Sequence, residues 1–313
     1  MNPPLTYLHS LTIRLAAGME HIPADVRARH GDFLKAAQQA DGGFAGRQGD
    51  SDVYYTSFAL RGLAILGELY GDVAQHAADF LRARLAGRET LIDRMSLVFG
   101  AAQLDAAAGI DVLADAGQHW KSSLALELHA LRRADGGFAK GPGGSASSTY
   151  HTFLALLCLQ LIEHPIADPE NVVRFIRSQQ SAIGGFLEIR VGKRAGTNPT
   201  AAAIGVLRML DALDYDVAKS TAEFLGEMQD DDGGLLANSR IPLADLLSTF
   251  TGCLTLADLD RTDALDARAA LQYARSLDHP AGGFLAAVWD EVRDVEYTFY
   301  GLGTLALLTP IVA

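Results

Sequence analysis

The chain has 313 residues, 49% of them apolar, which is enough material to bury a large core. Its formal net charge of -12 at pH 7 runs against a nucleic-acid or anionic-membrane surface, because both need clustered Lys and Arg to meet phosphates. The two cysteines, Cys158 and Cys253, stand far apart in apolar segments, so the pattern fits neither a disulfide framework nor a cysteine-rich zinc site and points to a reducing cytoplasm.

The N-terminal stretch "MNPPLTYLHSLTIRLAAGMEH" lacks a basic segment followed by a continuous apolar core. No later run approaches the roughly 18 uncharged apolar residues of a membrane span, so the expectation is a soluble chain without one. Helical periodicity then begins with "HGDFLKAAQQA", which has one wet face and stops at Gly42 and Gly43. A loop of about ten residues leads to "DVYYTSFALRGLAILG", apolar nearly all round, as a helix buried on most sides must be. After "RARLAGRETLIDRMSLVFGAAQL", which has no Gly-Gly pair, the same order recurs around Gly136, Gly184, Gly233 and Gly282, in "RRADGGFAK", "QQSAIGGFLEI", "MQDDDGGLLAN" and "LDHPAGGFLAA". The buried-type segments that follow are "STYHTFLALLCLQLI", "TAAAIGVLRML", "DLLSTFTGCLTLADL" and "DVEYTFYGLGTLALL".

The last three glycine-pair intervals are 48, 49 and 49 residues and the first is 94, about double, so one unit has lost its glycines and six units result. The expected architecture is all-α: six helical hairpins over residues 1–313 in one domain, closed into two concentric rings of helices. Closure is favoured over a linear solenoid because neither end carries a polar capping helix.

These repeats, over nearly the whole chain, resemble those of protein prenyltransferase β subunits and, more distantly, of squalene and other class II terpene cyclases. The resemblance implies an α/α toroid with an apolar central cavity for an isoprenoid chain, and a helical α-subunit-like protein partner. It implies a zinc site too, but the residues depart from it. The acid is kept as Asp245, whereas Leu247 stands at the position of the family's Cys and Tyr297 at that of its His. Zinc needs three or four N, S or O ligands, so zinc is not expected; magnesium is neither indicated nor excluded. At the family's diphosphate-binding positions stand Arg194, with Arg190 and Lys193 beside it, then Tyr150 and the neighbourhood of Ser239 and Pro242, where Arg240 is the nearby charge. Guanidinium groups suit phosphate oxygens, and an exposed solvated loop is the alternative reading of that cluster.

Aligned at the starts of the buried-type helices, Asp52, Asp93, Ser148, Asp245 and Asp294 share a column and read as helix N-caps, with Thr56, Thr152, Thr249 and Thr298 four residues on. Two places after the cap stand Tyr54, Met95, Tyr150, Leu247 and Glu296, a single acid among apolar and aromatic residues. If that position faces the cavity, desolvation raises the Glu296 pKa and keeps it protonated. The class II cyclases carry Asp-x-Asp-Asp-Thr at a comparable helix start, with the middle Asp as proton donor; Asp294, Glu296 and Thr298 match it in part. The competing reading makes Glu296 a first-turn acid favoured by the helix dipole. Phe250, Tyr300 and His151 join Tyr54 and Tyr150 as candidate substrate contacts.

Three functions stay open. One is a prenyltransferase-like protein holding an isoprenoid or its diphosphate near Arg190, Lys193 and Arg194. The second is a cyclase in which Glu296, helped by Asp294 and Tyr297, protonates a polyprene; Asp245 is the remaining catalytic candidate. The third is a non-catalytic toroid that binds a lipid or a protein partner.

Overall fold

The computed structural model describes residues 5–85 and 90–312. Among these run thirteen α-helices: α1 (Tyr7–Met19), α2 (Ala24–Ala36), α3 (Val53–Ile65), α4 (Gly71–Arg82), α5 (Leu91–Ala108), α6 (Trp120–Ala130), α7 (Thr149–Leu161), α8 (Pro169–Ser178), α9 (Thr197–Met209), α10 (Tyr215–Glu227), α11 (Leu246–Asp258), α12 (Ala267–Ser276) and α13 (Val295–Val312). From α2 onward they alternate as expected. α8 buries only Val172, Phe175 and Ile176 along one stripe, whereas α11 is buried from Leu246 through Asp258 on most of its circumference. The connection from α4 to α5, where the expected Gly-Gly turn is lost, includes residues 86–89, which lie outside the described residues.

Contacts divide the chain into two compact units, 1–124 with 276–310, and 125–275 with 311–313. The first unit therefore joins the beginning of the chain to its end. Within it the Arg29 guanidinium on α2 grips the Asp278 carboxylate through Nη1 at 2.7 Å and Nη2 at 2.8 Å. The His30 ring stacks on Phe284 at 4.7 Å between centroids and accepts the Gly283 N–H at 3.0 Å. This pairing of first and last hairpins is what closure requires.

The turns explain why two glycines recur. The first of each pair has positive φ, between 80° and 96°, a region costly for other residues. A Cβ there would meet a backbone carbonyl of the next amphipathic helix: His76 O on α4 at 2.2 Å from Gly42, Asn171 O on α8 at 2.3 Å from Gly136, Ser220 O on α10 at 2.1 Å from Gly184, and Ala269 O on α12 at 2.5 Å from Gly233. Gly282 completes the set against Arg29 O on α2 at 2.4 Å. The second glycine lies on an aromatic ring of the same neighbouring helix, Phe80, Phe175, Phe224, Tyr273 and Phe33 in turn.

The residue after the glycines is buried and tied to the next helix. The backbone N–H groups of Phe44, Phe138, Phe186, Leu235 and Phe284 donate to the hydroxyls of Thr56, Thr152, Thr200, Thr249 and Thr298 at 2.9, 2.9, 2.8, 3.0 and 3.2 Å. Each hydroxyl in turn donates to the carbonyl of the residue four places earlier, at the helix start. The threonine column is thus the joint between turn and helix, and it includes Thr200, where Gly196 caps α9 with no side chain. Thr200→Val, nearly isosteric, leaves the buried Phe186 N–H without its partner. It is expected to cost about 1–3 kcal/mol, read as a lower urea midpoint at constant m-value.

The structure corrects three expectations. The ring count of twelve helices omits α1, whose Leu8, Leu11, Leu15, Gly18 and Met19 form a buried stripe. This helix packs on α3, bonds Gln103 of α5 through Thr12 at 3.2 Å, and brings Gly18 against the Ala306 backbone of α13. Asp93 is not the cap of α5. Thr90 is, and Asp93 closes a capping box three residues later, so Met95 is out of the assumed register. Last, α13 does reach membrane-spanning length and composition, although it contains Glu296; about two thirds of it is buried inside the protein, as in a core helix.

Candidate active site

In the first unit the starts of α3 and α13 face each other. Asp52 caps α3 and Asp294 caps α13, accepting the N–H groups of Tyr55 at 2.7 Å and Tyr297 at 2.8 Å. These caps fix the first turns, and the residue two places on in each helix meets its counterpart. The Tyr54 hydroxyl donates to Glu296 Oε1 at 2.7 Å, and the Tyr300 hydroxyl, one turn further along α13, donates to the same oxygen at 3.2 Å. No described hydrogen bond reaches Glu296 Oε2.

The two phenols that bind this half-buried carboxyl group belong to an aromatic cluster. Tyr54 packs edge-on to Tyr55 at 5.2 Å and to Phe58 at 5.0 Å; Phe58 meets Tyr300 at 5.3 Å, and Tyr300 meets Tyr297 at 5.8 Å. Burial is the largest influence on Glu296 and raises its pKa above the usual carboxylate value; the neighbouring Asp294 charge acts the same way, while both phenols and Arg47 pull against it.

Arg47, on the loop between α2 and α3, ties that loop to the segment before α13. Its Nε contacts Asp294 at 2.8 Å and its Nη1 and Nη2 contact Asp290 at 3.0 and 2.5 Å, with both carboxylates buried. The guanidinium also lies 5.5 Å from the Tyr297 ring centre. Asp294 is therefore occupied twice, as cap and as ion-pair partner. Arg61, two turns and about 10 Å along α3 from Tyr54, covers the rings of Phe299 at 3.9 Å and Phe58 at 5.1 Å.

The remaining candidates belong to the second unit. Asp245 caps α11 and takes hydrogen bonds from the Ser248 N–H at 2.7 Å and the Ser248 hydroxyl at 2.8 Å; burial raises its pKa. His151 Nδ1 lies 2.8 Å from the Ser148 hydroxyl, which also bonds Glu188, and burial lowers the His151 pKa. Tyr150 packs edge-on to His151 and is exposed, and Phe250 is buried. Arg190, Lys193 and Arg194 are exposed on the loop before α9, and Arg194 reaches the Ser239 hydroxyl at 3.4 Å.

Sequence reasoning selected Glu296, Tyr54, Tyr300, Asp294 and Tyr297 separately, and the fold brings these five together. It missed Arg47, Asp290 and Arg61. The signal for Arg47 was a lone cation three residues after a buried turn aromatic, in a loop of the same repeat position as the one that holds Asp290.

The zinc positions do not fit the metal. Leu247 offers no donor, the hydroxyl and backbone of Ser248 already engage Asp245, and Tyr297 lies beside the Arg47 cation. Among the described residues no group of three or more His, Cys, Asp or Glu stands close enough to hold an ion. Burial pushes the Cys253 thiol up to about 12, which disfavours the thiolate a metal takes.

Alternating helices joined by Gly-Gly turns, with the first hairpin locked to the last, define an α/α toroid. The chain belongs to the family of the prenyltransferase alpha-alpha toroid domain, whose family model matches residues 7–89, 124–169 and 203–312. Among solved structures it is similar to protein geranylgeranyltransferase-I of Candida albicans complexed with GGPP, with TM-score 0.67, 16% identity, and 90% of this chain and 91% of that chain covered. It is also similar to a variant of the type II terpene cyclase MstE from Scytonema in complex with geranylgeranyl dihydroxybenzoate, with TM-score 0.63, 15% identity and coverages of 96% and 99%. A glycosidase variant matches too, at TM-score 0.57, 14% identity and 98% of both chains. At these identities the likeness is one of fold, and the glycosidase shows that the fold alone does not choose a chemistry.

Proposed function

We propose that this toroid binds an isoprenoid and that Glu296 is the acid that starts its cyclisation. The observation that carries the reading is the setting of Glu296: a carboxyl group whose pKa is raised by burial, bound on one oxygen by the phenols of Tyr54 and Tyr300, which belong to an aromatic cluster. In the protonated form Oε2, which takes neither phenol bond, is the oxygen that carries the proton. Transfer to an alkene carbon forms the new C–H bond from the π pair and leaves a tertiary carbocation, which a second double bond of the chain attacks. The cation so formed loses a proton to water as its C–H pair becomes a C=C bond, and solvent reprotonates the Glu296 carboxylate. The carboxylate left behind keeps the hydrogen bonds of Tyr54 and Tyr300 on Oε1, so the same phenols stabilise the conjugate base as charge develops. The aromatic cluster of Tyr54, Phe58, Tyr297 and Tyr300 supplies ring quadrupoles that favour a cation formed beside it.

The likeness to the Candida transferase complexed with GGPP favours a second reading, in which Arg190, Lys193 and Arg194 hold an isoprenyl diphosphate and a helical α-subunit-like partner completes the protein in the cytoplasm. In both readings residues 1–313 work as one domain. Incubation with a diphosphate-free polyprene in deuterated water separates them. The cyclase reading expects a cyclic product carrying one deuterium at the initiating carbon. Turnover of isoprenyl diphosphates alone, without solvent deuterium, would sink it.

Arg47 tunes this acid. Arg47→Gln removes a charge that lowers the Glu296 pKa and leaves Asp294, which raises it, uncompensated. The expected result is that the alkaline fall of activity moves to higher pH and that thermal stability drops, because two buried carboxylates lose their partner. A pH–rate profile of the variant checks the first effect and a melting curve the second.

A further inference from the structure

We propose that the loops leading into α9 and α11 form a docking surface for an anionic lipid membrane. Both loops lie in the second unit and touch through Arg194 and Ser239, 3.4 Å apart. The first exposes Arg190, Val191, Lys193 and Arg194, and the second exposes Arg240, Ile241 and Leu243. Val191 is 80% exposed, Ile241 44% and Leu243 48%.

Single exposed aliphatic residues are ordinary. Three of them interleaved with four cations on two touching loops, whose flanking acids Glu188 and Asp245 are half-buried and hydrogen-bonded at the starts of α7 and α11, are the composition of an interfacial lipid contact. The aliphatic groups enter the headgroup layer while the long cationic side chains reach the phosphates above them. The net charge of -12 does not oppose this, because at physiological ionic strength a charge acts over only about 8 Å, so the membrane meets the local cations. The corresponding loop before α13 exposes Val288, Trp289 and Val292 but carries Asp290 and Glu291, so it lacks the charge pattern. The two basic loops present no aromatic side chain, whereas single-stranded nucleic acid is held by stacking its bases on aromatic rings; aliphatic residues favour the lipid partner.

The surface stands independently of Glu296, and its test needs no turnover. The full chain is sedimented with vesicles of phosphatidylcholine with and without phosphatidylserine. Binding is expected only to the serine-containing vesicles and is expected to weaken with salt. Each cation near such a surface contributes about 1 kcal/mol, a factor of about five. Arg190→Gln or Arg240→Gln should therefore weaken binding about fivefold, and the pair about 25-fold. Val191→Ser with Ile241→Ser should weaken it at unchanged charge. All four positions are exposed, so the variants are expected to keep the parent circular dichroism and melting point. Equal recovery with neutral and anionic vesicles, or parental binding by the charge pair, overturns the proposal. So does capture of a single-stranded oligonucleotide that is lost in the charge pair while no vesicle is bound.

Discussion

Glu296→Gln is expected to lower the cyclisation rate of a polyprene by about 10²–10⁴-fold, the range that a positioned general acid supplies. The amide is nearly isosteric and still accepts the hydroxyls of Tyr54 and Tyr300, so substrate affinity is expected to change little and the loss to fall on kcat. Stability should move the other way. The folded state holds the Glu296 proton more tightly than the unfolded chain does, since the pKa is raised from 4.5. Its ionisation therefore erodes stability as pH rises from the unfolded value through the folded one. Glu296→Gln removes that erosion, so the variant should gain stability relative to the parent at neutral pH while losing activity. Activity of the parent should fall over the same rise in pH. A variant that kept parental turnover would remove Glu296 from the chemistry. One that lost activity and also melted earlier would point to the competing reading of Glu296 as a structural first-turn acid.

Tyr54→Phe separates the two roles of the phenols. The substitution removes the shorter of two hydrogen bonds to Oε1 but leaves the ring in the cluster. Loss of this donor raises the Glu296 pKa further and destabilises the carboxylate formed on proton transfer. The protonated fraction at neutral pH then grows as the rate of the step itself declines. A pH–rate profile with a lower plateau and a more alkaline fall is the expected signature.

Much of this arrangement was legible as sequence because it repeats. Gly-Gly pairs at nearly constant spacing marked the hairpins, and the column two places after the cap singled out Glu296 because every other unit read there carries an aromatic or apolar residue. Repetition misled where a unit had diverged. Asp93 fell in the cap column only by the assumed register, while Thr90 takes the capping role. Features unique to one place had no column to appear in. α1 lies outside the repeat, and Arg47 gains its meaning only when the loop before α13 brings Asp290 and Asp294 to it from more than 240 residues away. Charge composition is blind to placement in a third way. The net charge is one number for the whole chain, and it does not register that Arg190, Lys193, Arg194 and Arg240 lie on two loops that touch. In each case a local or long-range placement decides, and an average over the chain erases it.

Gly282→Ala should be among the most destabilising single substitutions in the first unit, because Gly282 sits where the last turn meets the first amphipathic helix. Its φ of 80° lies in the left-handed region, which costs a residue with a Cβ about 1–2 kcal/mol. The added methyl would also stand 2.4 Å from the Arg29 carbonyl oxygen and 2.8 Å from Phe33 Cβ, distances that only movement of the α2 backbone relieves. That displacement also disturbs the Arg29–Asp278 pair and the Gly283 N–H bond to His30. The total is expected to reach about 3 kcal/mol or more. Gly49→Ala is the control, since Gly49 has φ of 94° with nothing within 4 Å of its added Cβ and should cost the backbone term alone. If the hairpins formed an open solenoid, the last turn would have no α2 to strike, and the two alanine variants would lose the same stability. In a closed ring Gly282→Ala loses more, and the Gly283 amide exchanges with solvent faster than in the Gly49 control. Urea midpoints and amide exchange on the two variants therefore measure closure itself.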